Sequence, residues 1–252
     1  MTRNWFDQGG SAYAAYRPDY PSELGPALAA LAPWSGTAVD VGCGTGQLTG
    51  LLAGSFDTVI GVDPSADQPA QAAARENVDC RQGDAEALPV ADRTADLIAA
   101  AQAAHWFDLP AFYREVRRIA APGAVLALVS YGVMVVEPDL QERFDRFYWQ
   151  EIGPFWPPQR RTVESGYQDI EFPFPELATP SPNIRRDWTL EQCLGYLSTW
   201  SAVRHAAEAG HHDALLAYSE DLTAAWGDPS ATRSVQWPVI VRAGTVAPDA
   251  AV

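Results

Sequence analysis

The apolar stretch Thr37-Ala38-Val39-Asp40-Val41 runs directly into Gly42-Cys43-Gly44-Thr45-Gly46 and then into helix-forming residues at 47–53. Three glycines at alternate positions let the chain turn tightly and let another group approach the backbone, because no Cβ stands in the way. A strand that ends in such a loop and restarts as a helix is the opening of a βαβ unit. The pattern then repeats. Residues 58–63 read as a second strand closed by Pro64, and the alanine-rich 66–75 as a helix that tolerates Pro69 only near its first turn. Residues 78–82 and 95–100 read as a third and a fourth strand. The stretch 110–120 reads as an amphipathic helix with Phe112, Val116 and Ile119 at helical spacing, stopped by Pro122-Gly123. The continuous apolar run 124–130 has the character of a central parallel strand. Strands alternating with helices at this spacing predict an α/β fold with a doubly wound, mostly parallel sheet.

Outside this block the texture changes. Residues 1–36 hold Tyr13, Tyr16 and Tyr20 and read as an N-terminal helical arm. Residues 37–132 form the core of the pattern. The segment 135–230 begins as a proline- and aromatic-rich insertion and continues as two helices, 190–207 and 213–226. Residues 235–242 read as a last strand, in which Pro238 marks an edge or the point of entry into a sheet. The expectation is one domain over 1–252 with a cap inserted late in the chain.

Charge narrows the function classes. The 17 basic residues, all arginine, face 32 acidic ones, giving a net charge of −15. Non-specific nucleic-acid binding needs a basic patch to displace counterions, and a polybasic membrane anchor needs the same. Neither partner is expected. No apolar run approaches the length that crosses a membrane, and Cys43, Cys80 and Cys193 are too few and too scattered for a disulfide scaffold or a zinc site. The cytoplasm is the expected compartment, and no metal is expected. His211-His212 beside Asp213 reads as a turn and helix cap.

The glycine loop has two possible occupants. A dinucleotide would put its pyrophosphate there, with the spacing GxGxxG. Here the spacing is GxGxG, and Asp40 lies two residues before the first glycine. A carboxylate there repels a pyrophosphate and suits a ligand bearing an amino group, which favours S-adenosylmethionine over NAD. Asp63, at the end of the second strand, can accept both ribose hydroxyls of an adenosine. Asp84, after the third strand, can accept the adenine amine while the Ala85 N–H reaches a ring nitrogen; the plain alternative for Asp84 is a helix cap. Cys43 lies in the loop, where a helix N-terminus could lower its pKa, but it reads as packing.

Four stretches resemble the class I S-adenosylmethionine-dependent methyltransferases of the type 11 domain. They are 40–46, Val62-Asp63-Pro64-Ser65, Gly83-Asp84-Ala85-Glu86-Ala87-Leu88-Pro89 and 118–123. Tyr16-Arg17-Pro18-Asp19-Tyr20-Pro21, Ala101-Gln102-Ala103-Ala104-His105-Trp106-Phe107-Asp108, Gly195-Tyr196-Leu197-Ser198-Thr199-Trp200-Ser201 and Trp237-Pro238 are similar to the narrower trans-aconitate methyltransferase-like branch. The resemblance covers nearly the whole chain. It implies a Rossmann-like seven-stranded sheet, a lid over the cofactor at 1–36, and methylation of a small carboxylate to its ester with S-adenosylhomocysteine as by-product. Methylation of a phenol oxygen or a nitrogen, a non-transferring cofactor-binding protein and a nicotinamide oxidoreductase are the alternatives. The cofactor set expected on this basis is Tyr16, Arg17, Asp40, Gly42, Gly44, Gly46, Gln47, Asp63, Ser65, Asp84, Ala85 and Ala101.

The acceptor is expected at the carboxyl end of the fourth strand, near the point where an open α/β sheet reverses its strand order. His105 there is a general base, or it hydrogen-bonds without titrating; an ionised carboxylate acceptor needs no base. Trp106 is pocket wall or core, and an aromatic face near a sulfonium gains cation–π attraction of about 0.5–2 kcal/mol. His105 and Trp106 are the candidate catalytic residues. Tyr13, Gln102, His105, Trp106, Trp156, Arg160, Tyr167 and Trp200 are the candidate acceptor residues, with Trp156 and Arg160 implied by the family pattern around Phe155-Trp156-Pro157-Pro158-Gln159-Arg160. Arg17 pairs with a carboxylate of cofactor or acceptor, or forms a surface salt bridge. The expected partner is a small molecule, anionic or aromatic, and the expected state is a monomer or homodimer.

Overall fold

A computed structural model of the chain describes residues 18–65 and 75–247. Its elements are α1 (Leu24–Ala29), β1 (Thr37–Val41), α2 (Gln47–Leu52), β2 (Thr58–Asp63), β3 (Val78–Gln82), β4 (Ala95–Ala101), α3 (Leu109–Ile119), β5 (Ala120–Tyr131), α4 (Pro138–Asp145), α5 (Arg160–Glu164), β6 (Asn183–Trp188), α6 (Leu190–Ser198), α7 (Ser201–Glu208), α8 (Asp213–Trp226) and β7 (Arg233–Thr245). The seven strands form one sheet in the order β3-β2-β1-β4-β5-β7-β6. The first five pair in parallel, and β7 runs antiparallel to β5. This is the Rossmann-like, mostly parallel architecture expected. Of the helix expected at 66–75, residues 66–74 lie outside the described residues.

The strand interiors explain themselves. Parallel strands are covered on both faces and so carry unbroken apolar runs. Every residue of β4 but the last is buried, as are the last five of β2. The antiparallel β7 instead alternates buried and half-buried residues along most of its length. Its position corrects the edge reading of Pro238, because β7 lies inside the sheet order. Val239, opposite Tyr131, is the first residue in register with β5, so the proline removes no N–H from that ladder, and its carbonyl accepts from Gly132 N at 2.9 Å.

The chain divides into two compact units. The larger comprises Tyr20–Val133, Arg161–Asn183 and the chain from Pro238 onward. In it α3 starts where Asp108 accepts from Ala111 N at 3.2 Å, and it buries Phe112, Val116 and Ile119. The helix gives way to β5 at Ala120, earlier than the proline-glycine stop suggests; Gly123, at φ +80°, lies within the strand.

The described part of the smaller unit includes Met134–Arg160 and Ile184–Trp237. Here the expected helix at 190–207 is two helices. Ser198 Oγ donates to Gly195 O at 2.7 Å and Thr199 Oγ1 to Tyr196 O at 2.6 Å, and Trp200 is extended at φ −72°, ψ 135°. Hydroxyls that bond back to helix carbonyls compete with the helix, and here they end it. Thr189 and Gln192 close a capping box at the start of α6. Against α8, the Phe147 ring stacks on Tyr218 at 4.2 Å, and Arg143 lies 4.8 Å over the same ring while pairing with Glu151 and Asp221. Strand β6 was not foreseen. Arg185, Arg186 and Asp187 hide it in the sequence, and only Ile184 and Trp188 are buried.

Candidate active site

The strand order reverses between the parallel neighbours β1 and β4, and the glycine loop follows the carboxyl end of β1 at this point. Gly42, Gly44 and Gly46 all take left-handed backbone, with φ of +72°, +54° and +82°. A Cβ on Gly42 would stand 2.6 Å from the Ala103 Cβ. Gly42 N and Cys43 N donate to Val62 O, and Gly46 N donates to Cys43 O. Gly44 N donates to Asp63 Oδ2, and Ser65 N to Asp63 Oδ1, both at 2.9 Å. Asp63 therefore ties the loop after β1 to the loop after β2 through both carboxylate oxygens. Gln47 opens α2 directly after Gly46.

Asp40 is buried at the end of β1, and its Oδ2 accepts from Thr49 Oγ1 at 2.6 Å. Its Oδ1 is buried with no hydrogen-bond partner among the described residues. Burial pushes the carboxyl up to about 6; bonds from the Thr49 hydroxyl and amide oppose the shift, and the Asp63 charge adds to it. A buried carboxylate oxygen without a donor beside a cradle of glycines fits a ligand that brings a cationic amino group. The neighbouring Cys43 thiol is raised, by burial first and then by Asp40 and Asp63, which removes it as a nucleophile and leaves its packing role.

Asp84 follows β3 on an exposed turn, Ala85 beside it is buried, and Ala87 N donates to Asp84 O at 3.1 Å. This turn is braced by two α3 residues that the sequence reading missed. Glu115 accepts from Leu88 N at 2.8 Å. Arg118 donates to the carbonyls of Leu88 and Val90, each at 2.8 Å, and pairs with Asp92 and Glu115. The available signal was their i,i+3 spacing on one helix face.

Ala101 ends β4. Gln102 is left-handed at φ +53°, its N donating to Val129 O and its Nε2 to Tyr131 O. A 3₁₀ turn, Ala104–Trp106, then presents His105 and Trp106 with ring centroids 4.9 Å apart. Trp106 is 44% exposed, so it is not core. Tyr167, expected in the cap, belongs to the larger unit and is fully buried; its hydroxyl lies 3.2 Å from His105 Nδ1.

The remaining candidates fall elsewhere. Tyr13, Tyr16 and Arg17 lie outside the described residues. Trp156, Arg160 and Trp200 form one cluster within the smaller unit. Arg160 Nε donates to Tyr148 OH at 2.9 Å, and its guanidinium lies 4.9 Å over Trp156, whose ring is 5.4 Å from Trp200. Among the described residues no helix is long and apolar enough to cross a membrane.

Sheet order, glycine cradle and the acids at the ends of β1 and β2 together define a nucleoside-binding α/β enzyme. Residues 39–128 match a family model described as a methyltransferase domain. A protein of Dictyostelium discoideum, provisionally named a methyltransferase, is 33% identical over 225 residues, which cover 88% of this chain and 86% of that one. A solved structure from Anaeromyxobacter dehalogenans, provisionally described as a type II methyltransferase, is 43% identical with a TM-score of 0.86; the match covers 92% of this chain and 99% of that one. An uncharacterised methyltransferase of Mycobacterium tuberculosis is 38% identical over 125 residues, about half of either chain. The chain belongs to the class I S-adenosylmethionine-dependent methyltransferases. Its cofactor is S-adenosylmethionine, and the nicotinamide reading is set aside.

Proposed function

We propose that the protein methylates a carboxylate of a small organic acid, of the trans-aconitate kind or a natural-product acid, to give a methyl ester. The observation that carries this reading is the 101–108 stretch, the narrowest point of family resemblance, which folds into the turn presenting His105 and Trp106 at the carboxyl end of β4. The expected partner is thus a small anionic molecule, with neither nucleic acid nor membrane, and the cytoplasm is the proposed compartment.

The cofactor, when bound, supplies an electrophilic methyl group on a sulfonium. The residues hold and orient. Asp40 offers Oδ1 to the amino group. Asp63, fixed by two backbone amides, keeps lone pairs for the ribose hydroxyls. Asp84 and the Ala85 N–H take the adenine edge, and Gly42, Gly44, Gly46, Gln47, Ser65 and Ala101 line the approach. Tyr16 and Arg17, outside the described residues, complete the proposed set. An ionised carboxylate would take the methyl group that the bound cofactor supplies with no proton to remove, so the protein needs no general base. Orientation then carries the acceleration, on the order of 7–11 kcal/mol in favourable cases. Gln102, His105 and Trp106 orient the acceptor in the larger unit. In the smaller unit, the Arg160 cation laid on Trp156, beside Trp200, has the chemistry that selects planar anions.

The test is a screen with methyl-labelled cofactor against trans-aconitate, other aliphatic and aromatic acids, phenols and amines. Transfer to an acid, with a rate that follows its ionised fraction, supports the proposal. Transfer only to phenols or amines overturns it. Cofactor binding without transfer to any acceptor would make this a non-transferring relative. In parallel, Asp63→Ala should weaken cofactor binding by roughly tenfold to a hundredfold, the loss of charge-assisted hydrogen bonds.

A further inference from the structure

Tyr167 occupies a costly position. It follows Gly166, and both residues are left-handed, at φ +64° and +65°. A bulky residue in that region is a genuine outlier, sustained only when its surroundings over-determine it. Those surroundings are visible. A Cβ on Gly166 would meet Ile240 at 2.7 Å, so the chain presses closely on β7 there. Arg242, also on β7, donates to the carbonyls of Tyr167 and Ile170, at 2.5 and 2.9 Å. The strained backbone delivers a phenol, fully buried, to 3.2 Å from His105 Nδ1, with the two rings within 25° of parallel.

We propose that Tyr167 is a positioning residue that fixes His105 as its Nε2–H tautomer, so that His105 presents a hydrogen-bond donor, rather than a base, at the carboxyl end of β4. The phenol has one proton and an oxygen that can accept. Burial keeps the phenol protonated. Its proton must go to an acceptor, and Nδ1 is the acceptor described beside it. The reverse assignment, with Nδ1–H donating to the phenol, strands a buried hydroxyl proton. Buried polar groups are rarely left so. A neutral imidazole that accepts at Nδ1 carries its proton on Nε2.

This inference rests on the carboxylate reading for its use: an Nε2–H donor steadies an ionised acceptor oxygen and cannot take a proton from a hydroxyl. The tautomer itself is measured without cofactor or acceptor. Protein labelled with 15N-histidine, at a pH where the ring is neutral, should show His105 with an unprotonated Nδ1 and a protonated Nε2, assigned by the loss of those signals in His105→Gln. Tyr167→Phe should shift the ring nitrogens towards a mixture of tautomers and lower kcat about tenfold, the scale of one hydrogen bond, with KM for S-adenosylmethionine unchanged. A glutamine amide places an N–H near Nε2, so His105→Gln should turn over about tenfold faster than His105→Ala. A protonated Nδ1 in the wild type, equal activity in the Gln and Ala variants, or a Tyr167→Phe protein with unaltered nitrogens and kcat would each overturn the proposal. A base-stable methyl product would instead refute the carboxylate reading and leave the tautomer standing.

Discussion

Asp40 shows how much of this site is set by a single carboxyl. Its folded pKa of about 6 lies above the ordinary value of 3.8. The fold therefore favours the protonated form. The stability this contributes is complete below 3.8 and is lost as pH rises through 6, about 3 kcal/mol in all. Asp40→Asn removes that loss. Without cofactor, the variant should gain in melting temperature relative to wild type between pH 4 and pH 8, with most of the gain arriving before pH 7. A difference that stays constant across this range would mean that Asp40 is not desolvated as its burial requires. The same variant should bind S-adenosylmethionine more weakly, because the amino group loses its anionic partner. At this scale the sequence was informative. Asp40, Gly42, Gly44, Gly46 and Asp63 stand out because only glycine tolerates such backbone and because acids ending two parallel strands face one crevice. Tyr167 was misplaced, since nothing in its neighbours reveals a left-handed residue folded back onto His105.

At the scale of elements, α3 does more than cover the sheet. Its Glu115 and Arg118 hold the carbonyls and amide of the turn that carries Asp84 and Ala85. Arg118→Ala should leave those carbonyls unpaired, costing about 2 kcal/mol of stability. Amide exchange at 88–90 should quicken, and KM for S-adenosylmethionine should rise with kcat little changed. Unchanged exchange there would show that the turn stands without its brace. The buried apolar run of β2 was legible in the sequence, and the bounds of β2, of the short and largely polar β3 and of α8 match the sequence reading. Elements decided by local competition were not legible. The break between α6 and α7 depends on where two hydroxyls point, and β6 carries a charged surface that masks its two buried residues.

For the whole molecule, a net charge of −15 opposes the approach of an anionic acceptor. Added salt screens that repulsion, so kcat/KM for an anionic acceptor should rise from low ionic strength to about 0.15 M, where the Debye length is about 8 Å. A fall over that range would point to a cationic acceptor or to strong local attraction by arginines. The parallel core and the cofactor were readable because they share one physical solution, a glycine loop at a sheet reversal. The smaller unit was not, because it is built from aromatic contacts that bring Trp200 against Tyr148 and Trp156, about 50 residues earlier in the chain. The most direct test of the central claim is the fate of the transferred methyl. After transfer from methyl-labelled S-adenosylmethionine to an accepted acid, the product is treated with mild base and the released methanol is counted. Recovery of essentially all the label as methanol is the predicted result, because an ester is cleaved there. Label that stays on the acceptor would contradict the account and identify an ether- or amine-forming enzyme.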